Sequence, residues 1–242
     1  MVDVRLLGHT DAQTELTRLH DVQVNYTLDG PPTADAGWHF DEYCERLPPE
    51  APGEPVPGGA FEVACRLVRD YEFADPSIIR AVFVPDSPLE KRDMLLRGRF
   101  GPMTFLLGVR VSAVIDEVVE EDGRPLRAWG WCYRTLAGHL EAGEMCYRVV
   151  KLLDTGEVQF RVCRYVRAEQ IPNPVVRLGW ATFGRLMQVV FVHRSMARMK
   201  RLVEAELTSG RGTAGVPLAA TRIQVNPDGA DEQQRLSEQV QH

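Results

Sequence analysis

The side chains best equipped for chemistry gather in one short stretch. Tyr133-Arg134-Thr135-Leu136-Ala137-Gly138-His139-Leu140-Glu141-Ala142-Gly143-Glu144 holds one imidazole, two carboxylates, a phenol and two glycines. An imidazole beside a carboxylate moves protons near neutral pH, because the carboxylate fixes the tautomer and raises the basicity of the ring. His139 with Glu141 or Glu144 is therefore a candidate acid–base set. The same three side chains offer ligands to a divalent ion. The spacing is not His-Glu-x-x-His, however, and no second histidine cluster lies nearby in sequence, so no metal site and no cofactor are assigned. The alternative is a structural turn, with Gly138 and Gly143 setting the backbone and His139 and Glu144 bonding to loop amides.

A second group lies further along. At ~100° per residue, Gln188 and Ser195 fall beside Met187, Phe191 and Met199 on the apolar side of a helix. Polar groups there need partners: either strand backbone, or a ligand held in a cavity. Trp129, Trp131 and Tyr133 alternate along one strand. They are assigned to the inward face, because three aromatics outside would make a large exposed patch. Trp129, Trp131, Tyr133, Met187, Gln188, Phe191 and Ser195 are thus the candidate ligand-binding residues. Asp116, Glu117 and Glu120 to Asp122 read as the solvated end of a strand and its turn. His193 falls opposite the apolar stripe, with Arg185 and Lys200. His9, His20, His39 and His242 have no partner spacing.

The elements that position these residues can be read from periodicity. The chain of 242 residues holds one domain or at most two. Residues 1–47 are acidic, with weak alternation at Val2 to Leu7 and Val22 to Leu28 and a possible short helix from Gly37 to Leu47. Residues 48–59, PPEAPGEPVPGG, predict a linker. Phe61, Ala64, Cys65, Val68 and Tyr71 mark one face of a helix, and Asp75-Pro76 suggests the start of another. From Asp93 the pattern turns to strands: 94–100, 105–119, 126–135, 144–153 and 157–166. Their short connections require an antiparallel meander. A long helix is expected from Pro174 to Leu207, with Trp180, Phe183, Met187, Phe191, Met199 and Leu202 as its stripe. Gly179 and Gly184 are its weak points. Residues 208–242 are expected to be a disordered tail, and 60–207 the domain. The fold class is α+β, with a curved antiparallel sheet wrapped around the C-terminal helix and a cavity between them.

Composition narrows the function classes. Hydrophobic residues are 44%, charged residues 26% and the net charge −6, which excludes wholesale disorder and a general nucleic-acid coat. No nucleic-acid partner is expected, because the aromatics near the basic stretch 161–201 fall on the helix stripe and do not interleave with its arginines. That stretch carries nine basic residues against Glu169, while residues 1–60 carry eleven acids against three arginines. The simplest account is complementarity between the two ends. No window is apolar enough to span a membrane. The five cysteines are odd in number, widely spaced and without a Cys-x-x-Cys pair. They read as reduced, buried hydrophobes of a cytoplasmic protein.

The run from Gly130 to Glu144 resembles the signature aromatic-x-Tyr-x-Thr-Leu-x-Gly-His-x-Glu-x-Gly of the UPF 0548 family, a domain of unknown function. A later Gln188, Phe191 and Ser195 match its Gln-x-x-Phe-x-x-x-Ser. The resemblance covers about residues 58–207, with Met145 where the family commonly has an acid. That family is similar to the START and birch-pollen-allergen helix-grip superfamily. The resemblance implies a sheet–helix cavity that binds a hydrophobic small molecule or lipid. It also admits a cofactor-free cyclase, isomerase or hydrolase that uses His139, Glu141 and Glu144.

Overall fold

The computed structural model describes residues 4–6, 12–100, 103–168, 184–209 and 224–227. The five strands expected from the meander are present as β4 (Asp93–Phe100), β5 (Met103–Glu121), β6 (Arg124–Thr135), β7 (Glu141–Leu152) and β8 (Val158–Ala168). The β5–β6 turn has Asp122 at φ 51° and Gly123 at φ 73°, the left-handed pair that matches the twist of a tight hairpin.

Four more strands extend this sheet. They are β1 (Val4–Leu6), β2 (His39–Leu47), β3 (Ile79–Phe83) and β9 (Gln224–Asn226). The order is β2-β8-β7-β6-β5-β4-β3-β9, and β1 pairs with β5 off this path. Every pairing is antiparallel. The two main ladders of β5 overlap only at Val109 and Arg110, and the register with β6 shifts between Val111 and Ala113. Such a stagger and bulge bend a sheet.

Helix α1 (Ala12–Leu19) packs on β3 and β4. Helix α2 (Ala60–Arg69) buries Phe61, Ala64, Cys65 and Val68 against β6, β7 and β8. Helix α3 (Arg185–Ser209) packs on α2, β2 and β8, and an Arg66–Glu206 ion pair ties it to α2. One large core lies between the inner sheet face, α2 and α3.

Several expectations differ from the structure. His39–Leu47 is an edge strand in full register with β8, not a helix. Its side chains alternate in exposure, the period of a strand. Asp75 does not start a helix. Its Oδ1 accepts from the Ser77 amide at 2.9 Å, closing a turn that feeds β3.

Residues 48–59 are no free linker. Glu50 accepts from the Phe61 amide at 2.8 Å at the start of α2 and pairs with the fully buried Lys151 at 2.8 Å. A buried cation without that carboxylate would be costly. The tail expected from 208 includes the last two residues of α3 and strand β9, whose Val225 is buried. Trp180, Phe183, Gly179 and the expected helix start at Pro174 lie outside the described residues, as do His9 and His242. No helix of the described residues is long and apolar enough to cross a membrane.

Candidate functional site

The Thr135–Gly143 turn is built from side chains that serve the backbone. Thr135 donates to Asn25 Oδ1 at 2.7 Å and accepts from the Gly143 amide at 2.9 Å. Leu136 is fully buried in a cluster with Leu16 and Leu19, and Leu140 in the main core. Gly138 has φ 94°, which favours glycine. At Gly143 a Cβ would overlap the Tyr165 carbonyl oxygen.

His139 is buried, and its Nδ1 lies 3.1 Å from the Glu141 amide and 3.0 Å from the Glu141 carbonyl oxygen. Burial lowers its pKa to about 4, so the ring is neutral at pH 7. The structural turn is therefore the arrangement found for His139.

The two carboxylates part company. Glu141 and Glu144 are three residues apart on one strand and face opposite sides of the sheet. Glu144 lies on the outer face, accepting from Arg134 Nε at 2.8 Å and Ser112 Oγ at 3.0 Å. Glu141 faces inward, where Gln188 Nε2 donates to it at 2.5 Å. Burial raises its pKa. The His139, Glu141 and Glu144 side chains are thus not brought together as one acid–base set.

Gln188 bridges rather than dangles. Its Oε1 accepts from Arg164 at 2.8 Å, and Arg164 Nε donates to Asp41 at 2.7 Å. Arg185, expected on a free face, forks onto Asp41 with bonds of 2.6 and 2.5 Å. The Arg185 guanidinium above all, helped by Arg164, holds Asp41 down to about 2. The result is a continuous polar rail: Arg185, Asp41, Arg164, Gln188, Glu141.

Beside it lies an aromatic interior. Trp129, Trp131 and Tyr133 are all buried on the inner face. Trp131 Nε1 donates to the Val68 carbonyl of α2 at 3.0 Å. Tyr71, Phe73, Tyr147 and Phe160 fill the space below, with ring centroids 4.6–6.4 Å apart.

The phenol hydroxyls in this interior have unusual partners. Tyr147 Oη donates to Met145 Sδ at 2.8 Å and Tyr133 Oη to the same sulfur at 3.5 Å. Tyr71 Oη lies 3.4 Å from Tyr147 Oη. A thioether is a weak acceptor. Burial pushes Tyr133 up to about 12 and Tyr71 and Tyr147 well above the usual phenol range. Tyr71 also holds φ 59° directly after α2, a costly conformation for a bulky residue.

On α3 the most buried positions are Phe191, Val192, Ser195, Met196, Met199 and Val203, while Met187 is half-buried. Of the expected stripe, Phe191 and Met199 are buried, and Met187 and Leu202 only half-buried. Ser195 Oγ accepts from the Asp75 amide at 3.3 Å, so its partner is loop backbone and not a strand. His193 is exposed but its ring packs 5.8 Å from Tyr43.

Sequence reasoning missed Tyr71, Tyr147, Met145, Arg164 and Asp41. Tyr147 and Met145 share the period-2 face of Glu141, a legible signal. Asp41 and Tyr71 sit on elements whose ends or type were misread.

The cysteines also depart from expectation. Cys132 and Cys146 are directly opposed on β6 and β7 and form a disulfide. A meander brings distant residues into register, which spacing along the chain does not reveal. Cys44, Cys65 and Cys163 are free.

No curated protein matches this sequence. Among the solved structures that resemble the chain, Ara h 8.0201 aligns at 10% identity and a TM-score of 0.39, over 70% of this chain and 99% of its own. The Zhui aromatase/cyclase from Streptomyces sp. R1128 aligns at 14% identity and 0.41, over 74% and 99%. Residues 21–198 match the model of a family described as a domain of unknown function, DUF1990. That span includes both the Thr135–Gly143 turn and the Gln188–Ser195 segment, and the chain belongs to this family.

Proposed function

We propose that the protein binds a hydrophobic small molecule or lipid between the inner sheet face and α3. The observation that carries this reading is the set of three buried phenols, Tyr71, Tyr133 and Tyr147, gathered around Met145, whose hydroxyl partners among the described residues are one another and a sulfur. A ligand oxygen would be a better partner than the thioether. The surrounding aromatic walls suit a flat apolar body, and the polar rail from Arg185 to Glu141 offers charged and amide groups at one side. Trp129, Trp131, Met187 and Phe191 supply apolar wall in this reading, and Gln188 orients the ligand. Ser195 holds α3 to the Asp75 loop.

A second reading, a cofactor-free enzyme, is favoured by one observation. Glu141 faces the interior and its pKa is raised by burial, as a general acid requires. His139 and Glu144 would support the turn on either side of it. We infer a cytoplasmic location; the free thiols of Cys44, Cys65 and Cys163 support that, and the Cys132–Cys146 bridge would be reducible there.

The test is a fluorescence titration of the full chain with 2-naphthol and with naphthalene. 2-Naphthol should bind about tenfold more tightly, the worth of roughly one hydrogen bond. Tyr147→Phe should erase that preference while leaving naphthalene binding in place. Failure of both probes to bind the folded protein would overturn the proposal.

A further inference from the structure

The outer face of the sheet carries a row of cysteines that the ligand site does not use. Cys132 on β6 is opposite Cys146 on β7, and Cys146 is opposite Cys163 on β8. Three sulfur-bearing side chains on adjacent strands therefore lie side by side. The first two are joined and the third is free. A cleft of about 350 Å³ opens over this row, lined by Phe40, Tyr165, Glu42, Glu144, Cys146 and Cys163. Cys132 is buried and does not line it. Arg148 donates to Cys163 Sγ at 3.4 Å, and Glu42 is opposite Cys163 on β2.

We propose that this cleft is a thiol–disulfide exchange site for a low-molecular-weight thiol, with Cys146 as the sulfur attacked and Cys163 as the resolving thiol. The incoming thiolate bonds to Cys146 Sγ as the Cys132–Cys146 bond breaks, and Cys132 leaves as a thiolate that takes up a proton. Cys163 then loses its proton to solvent through Glu42. Its thiolate attacks Cys146 Sγ and expels the small thiol. One disulfide is present before and after, so no oxidant or reductant is consumed, and the bridge moves from Cys132–Cys146 to Cys146–Cys163.

Access selects the sulfur, since only Cys146 of the bonded pair faces the cleft. Placement selects the resolving group, since Cys163 is the direct cross-strand neighbour of Cys146. Burial raises the Cys163 pKa while Arg148 opposes that rise, so the second step should quicken as pH climbs from 7 to 9, because the thiolate is the nucleophile.

The experiment uses the oxidised full chain incubated with reduced glutathione, quenched with N-ethylmaleimide and mapped by peptide mass spectrometry. The wild type should yield a Cys146–Cys163 linked peptide with alkylated Cys132. Cys163→Ser should instead retain glutathione on Cys146, at about ten times the wild-type level. Cys65, buried on the sheet-facing side of α2, reports folding. If Cys163→Ser leaves Cys65 open to alkylation, Cys163→Ala replaces it, and the bridge shift in the wild type is decisive alone. An intact Cys132–Cys146 bridge with no adduct at Cys146 overturns the proposal. So does glutathione found only on Cys44, or an oxidised protein without the Cys132–Cys146 bridge.

Discussion

His139 is held in its own turn, and its neutrality is part of the fold's stability. Its pKa is about 4 in the folded chain, against roughly 6.5 when unfolded. The unfolded state therefore binds more protons below pH 6.5, and stability falls as pH drops from 6.5 toward 4. Between pH 7.5 and 5 this linkage amounts to about 2 kcal/mol. Urea unfolding of the wild type should show that loss, and His139→Gln should lack this component of it. An equal pH dependence in both proteins would remove the assignment.

Asp41 has the same sign of dependence in a more acidic window. Its carboxylate is held at about 2 by Arg185 first and Arg164 after it, so its stabilisation is complete above pH ~4 and vanishes as pH falls from ~4 to 2. Arg185 is largely exposed, so Asp41→Asn should cost only about 1–2 kcal/mol at pH 7. Arg185→Asp, which sequence placed on an indifferent face, should cost at least as much, because it sets two carboxylates together.

At the scale of elements, α3 is anchored by its later turns. Met199 is fully buried and Met187 is not. Met199→Ala should therefore cost about 2–5 kcal/mol by leaving a cavity, and Met187→Ala clearly less, both read by chemical denaturation. Gly143→Ala should cost roughly 1–3 kcal/mol, because the added methyl meets backbone of β8 and not a flexible side chain.

The meander was legible because its strands alternate cleanly and its turns carry Gly, Asp and Pro. β8 shows this best, with every second residue from Val158 to Val166 buried. β2 was not legible, because Asp41, Glu42 and Glu45 occupy both of its faces. The inward Asp41 is compensated by Arg164 and Arg185, two residues more than 120 positions away. Likewise, nothing local marks Glu50 as the partner of Lys151, or 224–226 as a strand. Each depends on a long-range neighbour. The candidate site was legible in its aromatic strand and in Glu141 with Gln188. Its phenol cluster was not, because Tyr71 belongs to a helix end and Tyr147 to a different strand.

Over the whole molecule, part of the charge asymmetry between the two ends of the chain is internal complementarity. Arg164 and Arg185 meet Asp41, and Lys200 meets Glu45. The acidic N-terminal segment is joined to the sheet through β2, and Tyr26 and Trp38 pack on Tyr165 of the outer face. Both sheet faces thereby acquire separate sites in this account: an aromatic interior for an apolar ligand, and an outer cleft for thiol exchange. The central claim concerns the interior. Native mass spectrometry of the full chain, purified without detergent and compared with Tyr147→Phe, tests it most directly. The account predicts a wild-type peak carrying the mass of one small molecule, released on mild denaturation and diminished in the variant. A wild-type chain that flies only at its bare mass, and that takes up neither 2-naphthol nor naphthalene when these are added, would contradict it.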